Sequence, residues 1–429
     1  CFVNAFVHSD PRLPFGGTPT EVRSGSLQIS YDAAQGEGWS LKGRIGDLVQ
    51  DGNRIGALTL DGGGSVRLDG GDLQQVLGRL AFGAEGMQLA DAGLQAALGD
   101  AIRGESGFDL TPGNALELSG LTVTGADYGL YGDLHADGLR SGITLSGELD
   151  AAYEDLSRLS QLAGRKLTGQ AAARVTGLYT VLSRGFDAEA EITATDATVD
   201  QPQLDRLLAG EASVTASARR DETGIEIRGL TVNARRLTAE AQGLIASDAT
   251  DLRADLRMAS LTDADPAMAG SLTAQAAVTG PAGSRRATLT GEARDLVLGI
   301  AELDAALKGA TSLNVALQEG GGGFTVETLR LENPQLTANG QGSFAPGAVD
   351  AALDVAVPDL GVLRRGLSGA VRARAHVTEA DGPRRIEMTG TGQELRLGQR
   401  DVDGALTGTT EFRLTAEQRD GILALHDLD

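Results

Sequence analysis

The sequence predicts an all-β protein with a few short helices, built on a long antiparallel sheet that has one apolar and one wet face. Three observations carry this expectation: period-2 alternation along most of the chain, glycines that shift the phase of that alternation, and an internal repeat of 99 residues. The alternation is clearest in Phe186-Asp187-Ala188-Glu189-Ala190-Glu191-Ile192-Thr193-Ala194, where one side is apolar and the other acidic or threonine. Successive side chains of a strand leave on opposite faces, so this is the pattern of a half-buried strand. Segments 39–45 and 143–150 repeat it. Strands covered on both faces, as in parallel sheets, read instead as continuous apolar runs.

The phase slips by one residue at Gly120, between Leu118 and Leu121, and again at Gly229, between Ile227 and Leu230. Both read as glycine bulges that re-aim a curling sheet. A shift of 99 residues without a gap places Leu237-Thr238-Ala239 and Gln242-Gly243 on Leu336-Thr337-Ala338 and Gln341-Gly342. The same shift sets Gly270 on Gly369, Arg285-Arg286 on Arg384-Arg385 and Thr290-Gly291 on Thr389-Gly390. A looser copy precedes these, with Gly169 in the place of Gly270. The expected organisation is an N-terminal β segment (1–70), a helical insert (71–105), a loose β repeat (106–229) and two regular repeats (230–328 and 329–429).

Short helices are expected over 155–164, 203–210 and 358–366, each with its leucines on one side and a glycine at its end. None is long enough to stand alone, so each must dock its leucines on the sheet. Two longer amphipathic helices, Asp72 to Phe82 and Asp91 to Arg103, are expected in the insert.

Composition narrows the functional classes. The 60 glycines among 429 residues lack a G-X-Y period, which excludes collagen. With 37 basic against 59 acidic residues the net charge is −22, so nucleic acid is not an expected partner. Cys1, the single cysteine, permits no internal disulfide. The chain opens on Cys with no apolar leader, which reads as a processed product or a fragment, and no segment approaches the roughly 18 apolar residues of a membrane span.

The chemistry-bearing residues are scattered. His8, His135, His376 and His426 form no HExxH, no G-x-S-x-G elbow occurs, and the absence of any Gly-Lys pair excludes a P-loop. Gly62-Gly63-Gly64 and Gly320 to Gly323 read as turns, as do Asp263/Asp265 and Asp401/Asp403. No metal, cofactor or catalytic residue is expected. What remains is the apolar face itself, expected to be lined by Leu41, Ile45, Ile143, Leu145, Leu149, Phe186, Ile192, Ile225 and Ile227, with Glu148, Asp187, Glu189 and Glu191 turned to water. Such a face is either closed into a core or left open as a binding surface. An aliphatic, aromatic-poor lining suits a fluid acyl chain, each buried CH₂ of which gains about 0.8 kcal/mol without directional bonds.

The recurring order of short helix, then Ala-Gly270-Ser-Leu-Thr-Ala or Leu-Ser-Gly369-Ala-Val, then Val-Thr, a turn, and Leu-Thr-Gly291-Glu-Ala-Arg-Asp-Leu-Val-Leu-Gly resembles the periplasmic body of TamB proteins. These are the inner-membrane subunits of the translocation and assembly module, related to AsmA-like and bridge-like lipid transfer proteins. The resemblance is good over 230–429, fair over 110–229 and weak before that. It implies an elongated sheet curled into a U-shaped hydrophobic trough that spans the periplasm. It further implies phospholipid acyl chains as cargo, a role in outer-membrane protein assembly and secretion, and a partnership of the full-length protein with TamA, an outer-membrane protein of the Omp85 class. On this reading the chain is a monomeric internal segment, non-enzymatic, whose inner-membrane anchor lies outside it. The alternatives are a secreted or surface β-solenoid adhesin, with stacked coils around an enclosed core, and a β-helical carbohydrate enzyme, which needs clustered carboxylates and aromatics.

Overall fold

A computed structural model of the chain describes residues 2–7, 12–15, 18–32, 37–70, 72–139, 142–380, 382–399, 403–404, 406–419 and 422–428. Cys1, His8 and Asp401 lie outside these residues, as does the side chain of His426. The chain divides into two units, Cys1–Thr223 and Gly224–Asp429. Each is an open antiparallel meander. In the first, the strands from Thr18–Asp32 to Glu211–Asp221 pair each with the next in sequence, and Phe2–Val7 and Arg12–Phe15 both pair with Thr18–Asp32. In the second the same rule runs from Gly224–Ala234 to Ile422–Leu428. The all-β class and the antiparallel pairing follow from the alternation, since a face that meets water needs no second layer of helices; that the sheet stays unclosed is seen in the pairing itself.

Alternate strands of a meander run the same way, so their connections emerge on one edge. In the first unit the helices Ala92–Leu98, Ser160–Ala163 and Pro202–Leu207 all fall on the same edge, after strands Asp72–Gln88, Thr144–Tyr153 and Gly185–Thr198. In the second, the short turns of helix Leu261–Asp263, Ala301–Ala306 and Leu360–Val362 do likewise, after Thr250–Met258, Arg286–Val297 and Ala348–Val357. Each unit therefore has a helix rim and a hairpin rim.

The tightest burial lies along the helix rim. Leu307, only 1% exposed, packs with Ala306, Leu336 and Val357, and Leu360, Val362 and Leu363 close over them from the next helical turn. In the first unit Asp91 caps Ala92–Leu98 through the Leu94 amide, and Leu162 lies against Gly93. The carbonyls at the end of that helix are satisfied by the Tyr128 hydroxyl, which donates to Leu98 at 3.1 Å, and by Arg158, which donates to Ala96 at 3.3 Å. Tyr128 stacks on Tyr153 at 5.0 Å, and Arg158 is paired with Asp127. Burial, with Tyr153 alongside, pushes the Tyr128 hydroxyl up to about 12.

Backbone geometry recurs at the 99-residue interval. Asp196, Asp295 and Glu394 all hold φ near +50°, and each donates its amide to a glycine carbonyl, Gly210, Gly309 and Gly408 respectively. The Asp196 and Asp295 carboxylates accept the Gly210 and Gly309 amides in return, at 2.9 and 3.0 Å. Opposite them Gly169, Gly270 and Gly369 adopt φ of 93°, 98° and 99°, at register shifts in the pairing. Asp295→Ala keeps a Cβ at this φ and orphans the Gly309 amide, at an expected cost of about 1–2 kcal/mol. Asp295→Asn, which tolerates the left-handed region and retains an acceptor, is expected to be near neutral; thermal melts of the two variants check the difference.

Three expectations need correction. Asp72 to Phe82 is not helical: Asp72–Gln88 is a strand paired on both sides, with Asn53–Asp69 and with Ala101–Thr111. The segment carries apolar residues at both spacings. Two waiting strand edges satisfy its backbone, Gly78 weakens a helix, and Val76, Leu80 and Phe82 join the apolar face, while Leu73 lies opposite Leu68 at the strand's end, where it is half exposed. Only 92–98 of the second expected helix forms, because Gly99 ends it and Ala101–Thr111 extends at once into the sheet. Gly62-Gly63-Gly64 is likewise strand rather than turn. By contrast, Gly321 and Gly322 turn a hairpin with φ of 61° and 77°, and the bulges fall between Leu118 and Leu121 and between Ile227 and Leu230.

Candidate functional site

Register assembles the alternating residues into rows that cross the strands. In the first unit Val214, Ile192, Ala173, Ala151 and Leu130 lie opposite one another in turn. The row continues through Val123, Gly104, Phe82, Leu60 and Gly43 to Leu27. Of the expected lining, Leu145 and Phe186 flank Tyr179 in another row, Leu149 faces Val175 and Gly132, Leu41 faces Ile29, and Ile45 faces Leu58. Ile143 stands just outside its strand, its carbonyl accepting the Val181 amide. In the second unit Ile225 pairs with Ile245 and Ile227 with Gly243. Further rows there include Leu289, Val315, Leu329, Gly340, Leu353, Ala375, Met388 and Leu414.

All nine expected residues are half-buried, neither sealed nor fully exposed. Among the described residues the apolar rows lie between the rims without a second layer to bury them.

The sheet also bends toward this face. Trp39, Gly64, Gly78 and Phe108 follow one another across four strands, a span of about 14 Å in a flat sheet. The Trp39 and Phe108 rings lean over these two glycines to within 5.9 Å of one another, and the indole N–H donates to the Leu77 carbonyl at 3.0 Å. A Cβ on Gly64 would collide with that carbonyl, and in the second unit a Cβ on Gly243 would collide with the carbonyl of Asp251. Glycine is required where the bend brings neighbouring backbones onto the apolar side.

The opposite face carries the charge. Glu148, Glu189 and Glu191 are exposed there, and Asp187 is half-buried. Arg174 bridges Asp150 and Glu148, and Arg374 donates to Asp354 at 2.7 Å, holding that carboxyl below its usual range. His135 lies between Asp137 and Glu117, and His376 contacts Asp350 at 2.7 Å. A concavity of about 890 Å³ on this side sits over Ala81 and Gly83, with Lys42, Arg44 and Arg103 against Asp61 and Glu85 around it. Asp263 is paired with Arg236 and Asp265 accepts the Ala267 amide, so both serve local structure. Among the described residues no group of three or more His, Cys, Asp or Glu is placed to hold a metal ion, and no helix is long and apolar enough to cross a membrane.

No protein-family model matches the chain, and neither a curated protein nor a solved structure is similar to it.

Proposed function

We propose that the chain is a hydrophobic conduit or carrier that takes lipid acyl chains on its apolar face, acting as a periplasmic segment of TamB type. The observation that carries this reading is the set of continuous, half-exposed aliphatic rows, bent inward at glycines and bounded by a helix rim and a hairpin rim. Leu, Ile, Val and Ala offer area without directional partners, which is what a mobile alkyl chain requires. Transport of phospholipid between the two membranes, assembly of outer-membrane proteins, and contact of the full-length protein with TamA are the tasks this resemblance attaches to such a face. The adhesin reading is less well supported, because a solenoid encloses its core whereas here the tightest burial is at one rim.

Trp39 is the sole tryptophan and stands on the apolar face, so it reports occupancy directly. Lipids brominated along the acyl chain are expected to quench its fluorescence, and the same lipids without bromine are not. Absence of quenching at saturating lipid would overturn the proposal.

A further inference from the structure

The apolar-side residues of the hairpin rim in the second unit form one register row. Phe324 faces Phe344, and Phe344 faces Val349. The two rings stack at 5.1 Å, and Phe324 is 47% exposed. On one side of this aromatic lip Phe324 meets Glu319, whose amide donates to the Arg285 carbonyl and whose carboxylate accepts the Gly283 and Arg285 amides. The Arg285 guanidinium reaches back to the buried Thr250 hydroxyl at 3.4 Å. On the other side Val349 meets Glu379, which is paired with Arg384 at 2.9 Å. Arg285 and Arg384 occupy the same place 99 residues apart, while the carboxylate beside each comes from a different strand.

The mouth of the apolar face is thus an aromatic lip flanked on each side by one cation and one carboxylate. Each flank is charge-balanced. A lone anion brought there gains no net cation, and it must also approach a chain of charge −22. A head group carrying both a phosphate and an alkylammonium matches each flank, with phosphate toward the arginine, ammonium toward the glutamate, and the exposed phenyl faces available to the ammonium as well. We infer that this rim selects zwitterionic amphiphiles over anionic ones. The inference rests on the acyl-chain reading and names the head group that goes with it.

The distance along the strand fits. Leu353 lies in an apolar row with Ala375 and Met388, and Met388 is four residues, about 13 Å, inward from Arg384. A head group at the rim therefore sets the middle of an acyl chain near Leu353, a half-exposed residue with Gly340 and Ala375 as small neighbours.

The test uses the full chain with Trp39→Phe and Leu353→Trp as the background. Quenching is titrated with vesicles of mid-chain dibrominated phosphatidylcholine or of the corresponding phosphatidylglycerol. At low ionic strength the phosphocholine lipid is expected to reach half-quenching at about three- to fivefold lower concentration, with the preference fading in salt. Glu319→Gln with Glu379→Gln should shift the preference toward phosphatidylglycerol by a similar factor. Arg285→Gln with Arg384→Gln should weaken both lipids. Equal quenching by both lipids, unchanged in either variant pair, overturns the head-group assignment and leaves the acyl-chain reading standing. No quenching by either lipid, with the background variant folded by circular dichroism, overturns the acyl-chain reading and the assignment with it.

Discussion

Leu307→Ala is expected to lower stability by about 3–5 kcal/mol, while Leu353→Ala, in the same unit, is expected to cost about 1 kcal/mol or less. Leu307 is 1% exposed and surrounded by Ala306, Leu336, Val357 and the leucines of the next helical turn, so its removal leaves a cavity that rigid strand ends cannot close. Leu353 is 36% exposed on the apolar face, where water already occupies part of its surroundings. Denaturation midpoints of the two variants, followed by circular dichroism, measure the contrast. Equal losses at both sites would mean that the face is as enclosed as the rim, and the open-face reading would fail. Because neighbouring repeats of such a meander stabilise one another mainly through their shared strands, the Leu307 defect is expected to act most strongly on strands 310–357 around it.

Ile192→Asp carries the largest expected effect on function. Its carboxylate enters the row between Ala173 and Val214, where a bound acyl chain strips water from an unpaired charge at a cost of several kcal/mol. Co-purified phospholipid should fall by tenfold or more, on the order expected for a penalty of about 1.4 kcal/mol or greater. Without lipid the same carboxylate reaches water across the half-exposed face, so the melting temperature should drop only slightly. In an enclosed core the change would unfold the unit instead. Ile227→Asp repeats the experiment in the second unit, beside Gly243. Lipid content equal to that of the parent in both variants would rule out the face as the binding surface.

The strands with strict alternation were readable because the driving force is local. In 186–194 a one-residue slip would bury Asp187, Glu189 and Glu191 together, so the sequence permits a single facing. Gly120 and Gly229 were readable as bulges for the same reason: they sit where the apolar phase breaks, and the pairing shifts register there. The Asp155 cap and the left-handed Gly164 likewise announced a short helix by chemistry confined to a few residues.

Segment 72–88 was decided elsewhere. Leu73, Val76, Leu77 and Leu80 satisfy a helical spacing and Val76, Leu80 and Phe82 a strand spacing, and only the free edges of Asn53–Asp69 and Ala101–Thr111 favour the second. Gly62-Gly63-Gly64 carries no local sign of the bend it permits, because that bend depends on Leu77 and Gly78 arriving from the next strand. The lip of Phe324 and Phe344 between Arg285–Glu319 and Glu379–Arg384 was equally invisible, since register brings its residues together from five strands and the turn that precedes Arg286–Val297. Alternation determined which side of each strand is apolar. Hydrogen-bonded pairing between strands decided which of those sides form a common row, where the sheet bends, and which charges stand at its edge.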